Sequence, residues 1–115
     1  YAVQSKIKFM EGLKIMFNNY FGNAQYLTSA HPFMDGCALR FTFPNGYTGS
    51  VIRHSRSYGG PQGLWEIAVM YDGVIVYDTP ITDDVLGWQT EEDVKQVLNQ
   101  IRALPKRAAN TKRGK

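Results

Sequence analysis

Toward the start of the chain the apolar positions Val3, Ile7, Met10, Leu13, Phe17 and Tyr20 recur at intervals of three and four, the repeat of one helical face. Ile15, Met16 and Phe21 widen the stripe, Gly12 weakens its middle, and Gly22 supplies a residue that accepts the left-handed backbone of a helix end. The pattern predicts a helix from Val3 to Phe21. From Asn23 to Gly36 isolated apolar residues stand among Asn, Thr, Ser, Pro and Gly, which reads as a connection packed down by Tyr26, Leu27 and Phe33.

Beyond Cys37 the period changes to two. Leu39, Phe41 and Phe43 alternate with Arg40 and Thr42, Pro44-Asn45-Gly46 make a hairpin turn, and a second strand runs from about Tyr47 to His54. After the loop Ser55 to Gly63, the residues Trp65, Ile67, Val69 and Tyr71 share one face of a third strand, and Asp72-Gly73 turn the chain into a fourth at Val74 to Tyr77. Pro80 ends that strand. Thr90 with Asp93 three residues on has the spacing of a capping box, and Val94, Val97, Leu98, Ile101 and Leu104 form the stripe of a second helix that stops at Pro105. The fold class expected is α+β: residues 1–104 as one domain, a four-stranded antiparallel meander flanked by an N-terminal and a C-terminal helix (α-β-β-β-β-α), and residues 105–115 as a basic disordered tail. An antiparallel sheet needs only one covered face, so the other is a first candidate for a partner surface.

Composition adds little until the charge is divided. A chain of 115 residues, 43% apolar and 20% charged, can bury a single core. Its net +3 splits into a mildly acidic body, eight Lys and Arg against ten acids over residues 1–104, and a tail whose Lys106, Arg107, Lys112, Arg113 and Lys115 meet no acid. Such a tail can order on a polyanion, with affinity that falls steeply as salt rises. No apolar run approaches the roughly 18 residues that cross a bilayer, so no membrane partner is expected. One cysteine and no signal segment at the start point to a reducing cytoplasm.

Catalytic chemistry finds no motif. Cys37 lacks a base in a recognisable context, and His31, Asp35 and Cys37 match no zinc spacing, so neither cofactor nor metal is expected. The acids Asp78, Asp83, Asp84, Glu91, Glu92 and Asp93 read as a turn followed by a charged helix start, and as a negative patch suited to a basic partner. The loop from Arg53 to Gly63 combines guanidinium groups, a tyrosine and glycines, ingredients of a phosphate site without Walker or dinucleotide order. Tyr, Trp and Arg are the favoured anchors of protein interfaces, which nominates Tyr47, Arg53, Arg56, Tyr58 and Trp88 as surface binding residues. For Tyr47 and Trp88 the competing reading is plain core packing.

The segments Phe43-Pro44-Asn45-Gly46-Tyr47, Ser57-Tyr58-Gly59-Gly60, Trp65-Glu66-Ile67-Ala68-Val69 and Tyr77-Asp78-Thr79-Pro80-Ile81-Thr82-Asp83-Asp84-Val85-Leu86-Gly87-Trp88 resemble small accessory proteins of tailed bacteriophages, over roughly residues 41–104. The resemblance implies a bacterial host cytoplasm and a small accessory protein that binds, and inhibits, a host or defence protein, and the absent catalytic motif makes the expected action non-enzymatic. It transfers no functional residue. The alternative is a nucleic-acid-binding protein that uses the tail with the Arg53 to Tyr58 loop.

Overall fold

The structure, a computed structural model, describes residues 18–108. Its centre is an antiparallel sheet of six strands, β1 (Leu27–Phe33), β2 (Gly36–Thr42), β3 (Tyr47–Arg53), β4 (Trp65–Tyr71), β5 (Val74–Ile75) and β6 (Leu86–Gln89), followed by one helix, α1 (Glu91–Arg102). The α+β class and the antiparallel sheet agree with the sequence pattern, and so do β2 to β4, with their turns at Pro44-Asn45-Gly46 and Asp72-Gly73.

Three expectations about the strands and their sheet need correction. The supposed connection from Asn23 to Gly36 contains β1, paired with β2 from Leu27↔Phe41 to Phe33↔Gly36. Only Ala30 of that strand is buried, because β1 is an edge, where Pro32 is tolerated and alternation is not enforced. The fourth strand is only Val74–Ile75, extended by the bond from Val76 N to Val69 O (2.9 Å). The sheet is also more than a meander, since β6 lies on the same edge of β4 as β5, with Trp65↔Gln89 and Ile67↔Leu86 at one end and Met70↔Ile75 at the other.

The N-terminal helix expected over Val3 to Phe21 lies outside the described residues up to its last turn. That turn, Asn18–Phe21, is not right-handed: Asn19 (φ 60°, ψ 47°) and Tyr20 (φ 56°, ψ 55°) are left-handed, as are Phe21 (φ 59°) and Gly22 (φ 72°). Left-handed backbone costs about 1–2 kcal/mol for each residue with a Cβ. The turn drives Phe21 into the core, edge-on to Trp65 (5.3 Å) and Phe41 (6.3 Å), and burying one such side chain contributes about 1.5–3 kcal/mol. Fully buried Asn23 ties the turn down, its Nδ2 donating to Phe21 O (3.0 Å) and Asn99 Oδ1 (3.4 Å).

Helix α1 begins as its sequence announces. Thr90 Oγ1 accepts from Asp93 N (3.1 Å) while Thr90 N donates to Asp93 Oδ2 (3.0 Å), closing the capping box. Val94, Val97, Leu98 and Ile101 are buried, and the helix packs across β3, β4 and β6. Its seat is Gly49. A Cβ there would stand 2.6 Å from Leu98 Cδ2 and 3.3 Å from Ile101 Cδ1. The helix's far end is capped by the β2–β3 turn, where Asn45 Nδ2 lies within hydrogen-bond distance of Ile101 O (2.9 Å), Arg102 O (3.2 Å) and Leu104 O (2.9 Å), and Asn45 Oδ1 accepts from Tyr47 N (3.0 Å). Ile101 and Arg102 belong to the last turn, whose carbonyls lack an i+4 donor within the helix, and Ile101 O also accepts from Leu104 N (3.1 Å).

The second face of the sheet carries a row of hydroxyls, Thr28, Thr42 and Thr48, linked Oγ1 to Oγ1 at 3.1 and 3.2 Å. It is open over β1 and β2, where His31, Arg40 and Thr42 are exposed, and closed over β4, where Ala68 and Met70 are buried. The face expected to be free for a partner is free only in part.

Two substitutions test this frame. Gly49→Ala overfills the helix seat and lowers stability by about 1–3 kcal/mol in denaturant unfolding, the cost usual for an extra methyl in a packed core. Asn45→Asp replaces the donor facing those carbonyls with an acceptor. It lowers thermal stability more than Asn45→Ala does, and the gap between the two narrows as pH falls and the new carboxyl takes up a proton.

Candidate binding surface

The ends of β3 and β4 are joined by the loop His54–Leu64, and its conformation is fixed by its own hydrogen bonds. His54 N donates to Ser57 Oγ (3.0 Å), Ser57 Oγ donates to His54 O (2.9 Å), and Arg56 N donates to His54 Nδ1 (3.0 Å). Asp35, at the β1–β2 turn, accepts from Ser55 N (2.9 Å), and Glu66 Oε1 accepts from Tyr58 N (2.9 Å). The amides of Ser57, Gly60, Gln62, Gly63 and Leu64 go to carbonyls of the same loop. These amides are spent, which removes the backbone cradle that a phosphate site would need.

On this loop stands a pair of exposed rings. Tyr58 is 55% exposed and Trp88, from β6, 58% exposed, and they stack with centroids 5.6 Å apart and planes within 15°. Close backbone approach makes the stack. Trp88 N donates to Tyr58 O (3.0 Å), a Cβ on Gly87 would meet Tyr58 Cβ at 2.4 Å, and one on Gly59 would meet the Trp88 Cα at 2.8 Å. Gly59 is left-handed (φ 88°), and Trp88 itself sits at φ 52°, a conformation that costs a bulky residue about 1–3 kcal/mol.

The nominated residues divide. Arg53 is half-buried, with Nη1 donating to Gly63 O (3.2 Å) and its guanidinium 4.3 Å from the Trp65 ring centroid. Arg56, Tyr58 and Trp88 are exposed. Tyr47 is not a surface residue: it is 6% exposed and packed against Tyr71 (5.1 Å) at the opposite end of the sheet, because its strand position faces α1. The structure therefore brings Arg53, Arg56, Tyr58 and Trp88 to one end and leaves Tyr47 at the other. Phe33 and Met34, which the sequence reading did not nominate, also lie exposed at that end, with Phe33 edge-on to His54 (5.4 Å). Their signal was weak, a Phe-Met pair beside Asp-Gly in a stretch read as connection.

The tail starts as part of the folded body. Arg107 forms a forked pair with Asp78 (2.7 and 3.2 Å), and its guanidinium lies over Tyr47 (5.3 Å) and Tyr71 (5.0 Å). It is thus a strap over the end of the hairpin rather than a free charge for nucleic acid, while Lys106 is exposed. Lys112, Arg113 and Lys115 lie outside the described residues.

Among the described residues no three His, Cys, Asp or Glu side chains are placed to hold a metal ion. Cys37 is buried on the core face and burial pushes its thiol pKa up, away from the nucleophilic thiolate. No described helix is long and apolar enough to cross a membrane. An open groove of about 450 Å³ lies between Pro80 and Ile81 and the end of α1 at Gln100, Ala103 and Leu104.

No family model, curated protein or solved structure matches the chain.

The strap makes a prediction about acid. Hydrogen bonds from Arg107 hold the Asp78 carboxyl below its ordinary 3.8. A folded-state pKa below the unfolded one means that the pair's contribution is whole above the ordinary value and is lost as pH falls through the depressed one. In thermal melts the deficit of Asp78→Asn against the parent protein is widest above pH 5, about one unit over the ordinary value, and closes below it. An equal deficit at all pH values assigns the effect to packing instead.

Proposed function

We propose that the protein is a non-enzymatic binding module that recognises another protein through the Tyr58–Trp88 end of the sheet, and that its partner, on the bacteriophage resemblance, is a bacterial host or defence protein. The observation that carries this reading is the exposed aromatic stack, held by a rigid loop. Fixed aromatic rings lose little conformational entropy on binding, and a pre-formed surface keeps the gain of each contact. Arg56 and the apolar tip Phe33-Met34 at the same end extend the contact area.

A nucleic-acid reading has one observation in its favour, that bases stack on exposed Tyr and Trp rings. The spent loop amides and the engaged Arg107 weigh against it.

Trp88→Gly separates binding from folding, because glycine relieves the left-handed backbone while removing the stack, worth about 0.5–1.5 kcal/mol. The expected outcome is a melting temperature within a few degrees of the parent, as the relief of about 1–3 kcal/mol of backbone cost opposes the loss of the stack and of the partly buried ring, with loss of the protein partner retained by the parent from bacterial lysate. Retention of that partner by both Trp88→Gly and Tyr58→Ala would sink the proposal. Alanine at Lys112, Arg113 and Lys115, with Arg107 left in place, tests the nucleic-acid reading by loss of salt-sensitive DNA or RNA binding.

A further inference from the structure

The described tyrosines and tryptophans that pack in ring pairs share a second partner. Trp65 carries the guanidinium of Arg53 at 4.3 Å, Tyr26 that of Arg102 at 5.5 Å, and Tyr47 and Tyr71 share that of Arg107 at 5.3 and 5.0 Å. All are within the range in which the negative face of a ring attracts a cation. The exception is the pair Tyr58–Trp88, whose rings stack on each other and turn their remaining surface to solvent.

The charge around that pair matches the same partner. Glu66 is in direct contact through the Tyr58 amide. Glu91 and Glu92, both exposed, follow Trp88 by three and four residues, and Asp84 precedes it by four, so chain geometry keeps their Cα atoms within about 11–15 Å of it. Against these carboxylates stand Arg56, two residues from Tyr58, and Arg53, whose guanidinium is engaged by Gly63 O and the Trp65 ring. Arg107 shows within this molecule what the combination does: its guanidinium covers two tyrosine faces while a nearby carboxylate, Asp78, takes its fork of donors.

We propose that the Tyr58–Trp88 stack is a docking site for an arginine side chain of the partner protein, its guanidinium lying on the exposed ring faces and its charge met by Glu91, Glu92 and Glu66. This assignment rests on the protein-binding reading above and narrows it to a partner with a basic, arginine-bearing contact segment. Arginine fits better than lysine because a planar guanidinium stacks and forks, whereas an ammonium does neither. A single-stranded nucleic acid would use the same rings, but it would be repelled by the carboxylates and drawn by Arg56.

The test is a titration of the full chain with a hexa-arginine peptide, followed by the two indole N–H resonances in NMR, with Trp88→Phe identifying the exposed one. The expected result is a shift of the Trp88 signal with the buried Trp65 signal unmoved, saturating more weakly with hexa-lysine and falling away with added salt. Replacing both Glu91 and Glu92 by Gln, substitutions on an exposed face that leave the cap at Asp93 intact, weakens the interaction roughly two- to fivefold, the effect of losing exposed ion pairing. Arg56→Ala strengthens it. An unmoved Trp88 signal overturns the assignment. So does a Trp88 shift produced by oligo-dT and weakened by Arg56→Ala, which makes the ligand a nucleic acid. A shift that appears with protein concentration alone overturns it as well, making the occupant a second copy. If a captured protein depends on Tyr58 and Trp88 while hexa-arginine leaves them untouched, the arginine assignment falls and the protein-binding reading stands.

Discussion

Where α1 crosses the sheet, Leu98 and Ile101 come down onto the bare backbone of Gly49, and a side chain at that position would force them to shift. The other supports of the fold follow from this close seat. A helix drawn onto the sheet leaves its last carbonyls short of donors, and the turn that precedes Gly49 supplies a side-chain donor, Asn45. The same hairpin therefore provides both the floor of the helix and the cap of its end. One element positions the other, so the direction of α1 is set by residues about fifty positions away in sequence.

Fixing α1 fixes what lies at its two ends. The strand β6 runs directly into the capping box at Thr90, and its pairing with β4 places Trp88 against the loop from His54 to Leu64. The opposite end of the helix delivers Pro105 to Ala108 across the β2–β3 and β4–β5 turns, where Arg107 finds Asp78 and two tyrosines. The sheet thereby has two chemically distinct ends. At one, an arginine on paired rings is already in place and closes the surface. At the other the paired rings are open.

How far the sequence revealed this depends on whether local patterning and long-range packing agreed. Asn45-Gly46 and Asp72-Gly73 demanded turns, and Thr90 with Asp93 demanded a helix start, because each is satisfied by atoms within a few residues. The strands β2 and β3 alternate in burial because one face lies in the core, while β4 alternates only in sequence and is buried on both faces along Ala68 to Met70. Edge strand β1 carries no such constraint, and β6 is four residues long with Gly87 inside it, so neither has a period to read. The turn at Asn19 to Gly22 was illegible for a different reason. Its stripe continues the helical repeat, and only the pull of Phe21 toward Trp65 and Phe41 sets its backbone left-handed. Among the nominated residues, Arg56, Tyr58 and Trp88 lie exposed, but composition could not distinguish them from Tyr47, an equally apt interface type that the strand register turns inward.

Comparing the residues other than glycine that hold a positive φ isolates Trp88. Asn19 and Asp72 belong to the types that tolerate it, Met34 is in a two-residue turn that requires it, and Tyr20 and Phe21 are compensated by burial. Trp88 has none of these reasons. It lies within a strand, more than half exposed, and although its amide is anchored to Tyr58 O, a glycine would make that bond without strain. What the tryptophan adds to folding is a stack on a tyrosine that is itself exposed, about 0.5–1.5 kcal/mol beyond the minor part of its ring that is buried, against a backbone cost of about 1–3 kcal/mol. A tryptophan that bears a backbone cost while leaving more than half of its ring in water is poorly used for packing alone, and that is why the open aromatic pair, rather than the better-packed ones, carries the proposed contact.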